Sequence, residues 1–212
     1  MGSEESTFPK CSGRKAMKRQ AIVMGLAVVA GGLASVGCVP DWAKQGDAPV
    51  VLLVTGINDG NVIDSDIRIS SGGICPDFAT VRVENHFKNP NVTGTGFRGD
   101  LVIERYEVRY IRSDGRNVEG VDVPFHISGA VAQEVQADGA ATMSVEIVRR
   151  QAKIEPPLST LAGGSGPGVV TMFAEVTLYA RTTINQTTNS ATARVQVDFA
   201  DFNDSLTACA TQ

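Results

Sequence analysis

The feature that most constrains the fold is a strict alternation of apolar residues along residues 170–180. Val, Met, Ala, Val, Leu and Ala occupy every second position from Val170 to Ala180. A β-strand turns successive side chains to opposite faces, whereas a helix repeats every 3.6 residues. The row therefore predicts a long strand with one buried face. A second row, at alternate positions from Ala193 to Phe199, predicts its partner across the polar TTINQTTNS segment.

Shorter candidate strands precede these rows. Residues 50–55 are a short apolar run, and a period of about two recurs at 62–69, 79–87, 101–112, 121–127, 131–136 and 142–148. Seven to nine short strands without a convincing helix predict an all-β, antiparallel β-sandwich. Pro124 marks the run at 121–127 as an edge or kinked strand, because proline cannot donate to a ladder. Asp138-Gly139 predicts a hairpin between the two runs that flank it.

The run at 101–112 predicts a strand with one mixed face. Val102, Tyr106, Val108 and Tyr110 share that face, and Glu104 interrupts it. The segment IERYEVRYIRSDG is similar to the third strand and following turn of fibronectin type III and other immunoglobulin-like domains. This resemblance extends loosely over residues 78–200 and lacks the Cys…Trp…Cys spacing of true immunoglobulin domains. It implies an immunoglobulin-like sandwich and carries no function.

The N-terminal region predicts export. In MKRQAIVMGLAVVAGGLASVGC, residues 17–38, two basic residues precede fourteen uncharged, mostly apolar residues and then a cysteine. The segment resembles a bacterial lipoprotein signal, although Ser35 stands where leucine is usual. The resemblance implies that Cys38 is joined to diacylglycerol and begins the mature chain, with Met17 the candidate start. A plain secretory signal and a retained transmembrane anchor over residues 21–39 stay open as alternatives.

This interpretation divides the chain into a leader (1–37), a polar tether (38–49) and one β-sandwich domain (50–212). The net charge is −4, and residues 1–37 hold five Lys and Arg against two Glu, so residues 38–212 carry −7. An acidic body lacks the basic surface that binding to nucleic acid requires. An anionic membrane also repels it, so membrane attachment depends on the lipid.

The four cysteines fit an exported protein. Cys11 belongs to the leader and Cys38 is the lipidation candidate, which leaves Cys75 and Cys209. In an oxidising compartment these two predict a disulfide, with two buried free thiols as the alternative.

Two glycine-rich motifs are weak evidence for a cofactor site or a catalytic site. GTGFRG, with Gly94, Gly96 and Gly99, matches a dinucleotide fingerprint in letters but precedes a strand, where that fingerprint must open a helix. GGSGPG approaches a nucleophile elbow around Ser165, but Pro167 stands in place of the second glycine. Both motifs are interpreted as loops between strands.

The remaining candidates for chemistry are few. His86 and His126, the only histidines, support an alternative function as a secreted or envelope hydrolase. The acidic runs NDGNVIDSD and DFADFND offer Asp59, Asp64 and Asp66 as weak calcium candidates, as in an adhesion module, with turn formation as the other interpretation. The second run holds Asp198, Asp201 and Asp204. No other metal or cofactor is expected.

The expected function follows from the predicted cellular location and the predicted fold. The sequence favours a lipid-anchored cell-envelope protein, not an enzyme, that binds an envelope protein or glycan or serves as a structural spacer. Val39 after the cysteine, by resemblance to proteobacterial lipoproteins, favours the outer membrane of a Gram-negative cell. Phe173 and Tyr179, on the off-face of their strand, are candidates for an exposed patch or for a second sheet interface.

Overall fold

A computed structural model describes residues 48–69, 73–89, 91, 99–163, 168–202 and 209. The predicted leader, Cys38 and most of the tether lie outside these residues. The strands are β1 (Val50–Ile57), β2 (Ile63–Asp66), β3 (Asp77–Phe87), β4 (Leu101–Ile111), β5 (Ile127–Val135), β6 (Gly139–Val148), β7 (Val170–Thr182) and β8 (Thr188–Ala200). A five-residue helix, α1 (Arg150–Ile154), and the 3₁₀ turns Asn58–Gly60 and Leu158–Leu161 complete the described elements.

The strands form two sheets. One has the order β1-β3-β6, and the other has the order β2-β8-β7-β4-β5. All neighbours are antiparallel except β2 and β8, which pair in parallel. In immunoglobulin lettering, β1, β3 and β6 take the places of A, B and E, and β4, β7 and β8 take those of C, F and G. The predicted immunoglobulin-like β-sandwich is confirmed.

The core lies between the sheets and is built from the alternating rows. On β7 the inward residues Met172, Ala174, Val176, Leu178 and Ala180 are all buried, as predicted. Tyr110 crosses the core with its ring edge against Phe199, and its hydroxyl donates to the Ile147 carbonyl at 2.6 Å. That hydrogen bond satisfies a buried polar group between the sheets.

Strand β4 differs from the prediction at one residue. Ile103 of β4 pairs with Ala180 of β7 and Arg105 pairs with the adjacent Tyr179, so Glu104 is the extra residue of a β-bulge. The bulge reverses the faces, so Leu101 and Ile103 are buried and Val102 is only half-buried. The expectation that Val102 shares a face with Tyr106 is therefore wrong.

Two further predictions are wrong. Residues 121–126 form part of a loop, and strand β5 starts only at Ile127. The Asp138-Gly139 turn does not close a hairpin, because β5 pairs with β4 and β6 pairs with β3. The turn carries the chain from one sheet to the other. Asn85 secures this crossing: its buried Nδ2 lies 2.7, 3.1 and 3.2 Å from the carbonyl oxygens of Gly99, Val135 and Gln136.

The sandwich has two distinct ends. At the N-terminal end, Val50 pairs with Phe87, and the Lys88 amide donates to the Pro49 carbonyl. The Thr183 amide of the β7–β8 turn donates to the Asp100 carbonyl at the same end. The loop after β4, the start of β3 and the end of β8 lie at the distal end. The eleven residues of β4 separate the two ends by roughly 35 Å.

A disulfide joins Cys75 to Cys209 at the distal end, with their Cα atoms 5.3 Å apart. It ties the chain beyond β8 to the segment just before β3. The predicted pairing is confirmed, and the alternative of two free thiols is wrong.

Candidate functional site

His86 lies at the N-terminal end between two carboxylates. Its Nε2 is 2.8 Å from Glu84 Oε2, and its Nδ1 is 3.2 Å from Asp138 Oδ1. The hydrogen bond with Glu84, and then that with Asp138, raises the pKa of His86. Because both ring nitrogens face carboxylates, neither is placed to take a proton from a hydroxyl nucleophile.

His126 lies at the opposite end of the molecule. Its Nδ1 is 3.1 Å from both carboxylate oxygens of Glu119, and its side chain is half exposed. About the length of a strand therefore separates His126 from His86, so the two cannot act in one site. The alternative hydrolase would use either His86 or His126, and the structure places each ring in contact with a carboxylate.

The calcium candidates are also dispersed. Asp59 forms an exposed ion pair with Arg82 at 2.8 Å. Asp64 is exposed on β2, and Asp66 Oδ1 accepts the backbone amides of Arg68 and Phe202. Within the described ranges, no three His, Cys, Asp or Glu side chains converge as metal ligands would.

Two carboxylates of the second acidic run accept hydrogen bonds from other parts of the domain. Asp198 accepts a hydrogen bond from the Thr171 hydroxyl, and Asp201 accepts one from the Gly163 amide. Asp204 lies outside the described residues, as do Gly94, Gly96 and Ser165 of the glycine-rich motifs. Gly99 is described, and a Cβ there would lie 2.8 Å from Ala137 Cβ, so it serves close packing.

The outer face of the five-stranded sheet holds both off-face aromatic residues. Phe173 and Tyr179 lie on this solvent side and not in a second interface between sheets. The Arg105 guanidinium lies 3.7 Å from the Tyr179 ring centroid, and the Tyr179 hydroxyl donates to Glu107. Arg194 pairs with Glu175 on the same face at 2.7 Å. The face is polar, with its charges paired.

The apolar surface that stands out is on the loop between β4 and β5, residues 112–126. Val118, Val121 and Phe125 are exposed to 59%, 67% and 45%. We call these three side chains the distal tip. At 67% exposure, most of the Val121 side chain is in contact with water. Its apolar surface therefore contributes little to the stability of the fold.

The distal tip is carried by a firmly built loop. Val123, between the exposed residues, is fully buried in the core. The Val118 carbonyl faces the amides of residues 121, 122 and 123, and the Gly120 amide donates to the Val123 carbonyl at 2.7 Å. The Asp122 carboxylate accepts the Val118 amide at 3.2 Å. These bonds fix the backbone, so the apolar side chains are presented in one arrangement.

Charged residues surround the base of the loop. Asp114 is held by Arg112 and Arg116, each with a guanidinium nitrogen 2.8 Å from Asp114 Oδ2. Hydrogen bonds from the two arginines keep the pKa of Asp114 well below its usual range. The Asn117 side chain accepts the Arg112 amide at 2.7 Å. The distal tip therefore lies on the same loop as a group of charged residues that pair with one another.

Sequence reasoning missed the tip because it assigned 121–127 to a strand. Gly115, Gly120 and Pro124 interrupt the alternation and are the signal that could have identified a loop. The apolar letters of this segment then have no sheet face to occupy, apart from the buried Val123.

Comparisons with known proteins return no matching family model and no curated protein of similar sequence. Among the residues that the structure describes, none form a helix long and apolar enough to cross a membrane.

Proposed function

We propose that this protein is a lipid-anchored, non-catalytic recognition module of the cell envelope that binds a protein partner through its distal tip. The observation that carries the proposal is the exposure of Val118, Val121 and Phe125 on a loop whose backbone is fixed by hydrogen bonds. A preorganised apolar surface loses little conformational entropy on binding. We infer that the three exposed side chains of this one loop form a single apolar patch, of the kind that marks interfaces.

The proposed lipid anchor implies an orientation of the distal tip relative to the membrane. Cys38, the proposed lipid attachment site, precedes the N-terminal end of the sandwich by a short polar segment. The tip lies at the other end, roughly one eleven-residue strand of about 35 Å away. With the N-terminal end toward the bilayer, the tip faces away from it, where a second envelope protein is accessible. In a Gram-negative cell we expect this bilayer to be the outer membrane, because the resemblance to proteobacterial lipoproteins and Val39 after the cysteine favour it.

The chemistry of the tip favours a protein over a glycan. Two valines and a phenylalanine offer apolar contact area and no hydrogen-bonding side-chain atoms, whereas a glycan needs many polar contacts for its hydroxyls. The charged groups beside the tip, Arg112, Asp114 and Arg116, already pair with one another. A complementary apolar protein surface with a polar rim fits this arrangement.

The contacts of the histidines support a role without catalysis. His86 has carboxylates at both ring nitrogens, and His126 hydrogen-bonds Glu119. We therefore expect no turnover in a screen against esters, phosphoesters, glycosides and peptides. Turnover that His86→Ala or His126→Ala abolishes, with the fold intact, would contradict this part of the proposal.

The tip is tested by the native size of the protein in mild detergent extracts of its own membranes. Wild type is expected in a complex larger than the monomer, and Val121→Asp is expected to shift it to monomer size, since a buried unpaired carboxylate opposes an apolar interface. Ile184→Asp is the matched control, because Ile184 is 54% exposed at the N-terminal end. A monomeric wild type, or equal shifts from both substitutions, would refute the proposal.

A further inference from the structure

A buried polar cluster at the distal end is unrelated to the tip. Lys153 of α1, Asp77 at the start of β3 and Ser65 of β2 converge there from three elements. The Lys153 side chain is 1% exposed and that of Asp77 18%, and Ser65 is fully buried. Full burial of lysine is rare, because removing an ammonium from water costs several kcal/mol.

The distances in this cluster are short. Lys153 Nζ lies 2.8 Å from Asp77 Oδ2 and 2.7 Å from the Asp66 carbonyl oxygen. The Ser65 hydroxyl donates to the same Asp77 Oδ2 at 2.6 Å. With Nζ against that oxygen, the carboxyl carbon Cγ that an amine would attack is one covalent bond further away.

We propose that Lys153 and Asp77 condense to an intramolecular amide, a covalent cross-link between α1 and β3. The ammonium first transfers a proton to Asp77 Oδ2, which gives a neutral amine and a carboxylic acid. The Nζ lone pair then attacks Cγ, the Nζ–Cγ bond forms and the Cγ–Oδ2 bond breaks. Oδ2 leaves with two protons that came from Nζ, so the ion pair becomes one neutral amide and one water, with no oxidation or reduction.

Burial favours the neutral pair from which the reaction starts. Desolvation is the largest influence on the Asp77 carboxyl and raises its pKa, against the opposing effect of Lys153 and of the Ser65 hydrogen bond. A low-dielectric site disfavours the carboxylate, so protonation of Asp77 is less costly here than in water. The partly exposed edge of Asp77 gives the released water a way out.

The hydrogen bonds around Lys153 and Asp77 are compatible with the amide product. The amide keeps one hydrogen on Nζ, and the Asp66 carbonyl already accepts from that nitrogen. The Ser65 hydroxyl donates to Oδ2, the oxygen that departs, and thereby holds the carboxyl group in position against Nζ. The reaction therefore replaces a buried ion pair, which contributes little net stability, with a neutral amide, whose burial costs less than that of two charges.

The cross-link would lie beside the disulfide. Cys75 is two residues before Asp77, so two covalent links would meet at the start of β3, one to α1 and one to the chain beyond β8. Such a pair would hold the distal end closed when the rest of the sandwich is unfolded.

The test is the mass of the purified protein after reduction and denaturation. The mass calculated for the chain after removal of residues 1–37 and addition of the lipid is taken as its sequence mass, and the measured intact mass is expected to be lower than this by one water. Trypsin is expected to yield residues 69–82 joined to residues 151–181, because an acylated Lys153 is not cleaved. Cleavage after Lys88 in the same sample verifies that digestion is complete.

Substitutions locate the bond without relying on stability. Lys153→Arg keeps a cation and its hydrogen bonds but forms no amide, so its mass is expected to equal its sequence mass. Ser65→Ala is expected to lower the cross-linked fraction. A folded wild type with its full sequence mass, and with free peptides 69–82 and 154–181, would overturn the proposal.

Discussion

The ring of Phe125 lies directly over Gly120, so that a Cβ on Gly120 would be 2.5 Å from the ring carbon Cζ. Gly120 also has a φ of +74°, which side chains other than glycine rarely adopt. Glycine at this position thus allows both the turn of the loop and the placement of one residue of the distal tip.

Gly120→Ala is predicted to displace Phe125. The left-handed φ costs about 1–2 kcal/mol for alanine, and the clash with the ring adds about 1–3 kcal/mol. Gly115→Ala is the matched control, since Gly115 has a φ of +82° but nothing within 4 Å of its added Cβ. Urea unfolding is expected to show a larger loss of unfolding free energy at 120 than at 115. Equal losses would mean that the ring contact contributes nothing.

Removal of the disulfide is predicted to destabilise the domain strongly. Cys75 and Cys209 are 134 residues apart in sequence, and closing a loop of that length reduces the entropy of the unfolded chain. The Cys75→Ser, Cys209→Ser double variant is expected to lose about 4–5 kcal/mol of unfolding free energy. Non-reducing peptide mapping should recover residues 69–82 linked to the C-terminal peptide, in a species that also includes residues 151–181 wherever the Lys153–Asp77 amide has formed. Alkylation of both cysteines in the denatured, unreduced protein would rule out the bond.

His86 is predicted to titrate above its ordinary pKa of 6.5. A histidine whose folded-state pKa is raised stabilises the fold below its unfolded pKa, and this stabilisation is lost as pH rises through the folded value. The advantage of wild type over His86→Gln is thus expected at about pH 5.5 and absent at about pH 8.

NMR titration of the His86 ring identifies the cause of the shift. Glu84→Gln is expected to lower the pKa more than Asp138→Asn, because the hydrogen bond with Glu84 has the larger effect. A pKa at or below 6.5 in wild type, or no response to either substitution, would contradict the ion contacts described for this end of the molecule.

The sheets could be predicted from sequence because each inward row is a local pattern. Met172 to Ala180 alternate without interruption, and burial of every second side chain follows directly from strand geometry. The bulge at Glu104 could not be predicted in this way. One extra residue leaves the composition of the strand almost unchanged, but it exchanges the inward and outward faces of the residues on one side of it. The partner of each strand also depends on the other strands, and the chain at Asp138-Gly139 looks the same whether it closes a hairpin or changes sheets.

The candidate site was harder to predict than the fold. Val121 and Val123 look equivalent in sequence, yet Val123 is buried and Val121 is 67% exposed. What separates them is the set of turn hydrogen bonds around the Val118 carbonyl, which depends on tertiary packing. The cluster of Ser65, Asp77 and Lys153 likewise joins residues far apart in sequence, and no spacing rule connects them.

Lipidation is predicted to hold the protein on the membrane. In a cell that processes lipoproteins, wild type is expected in the detergent phase after Triton X-114 partition, because a diacylglycerol group adds a large apolar area. Cys38→Ala is expected in the aqueous phase or as an unprocessed precursor. Membrane-bound wild type whose N-terminus still includes residues 17–37 would favour a retained anchor instead.

The most direct measurement is site-specific photo-cross-linking in intact cells, with the photoreactive residue at position 121 of the distal tip or at the exposed position 184 of the opposite end. Recognition through the tip predicts one discrete adduct from position 121, reduced by Gly120→Ala and absent from position 184. No adduct from position 121, or the same adduct from both positions, would contradict the account.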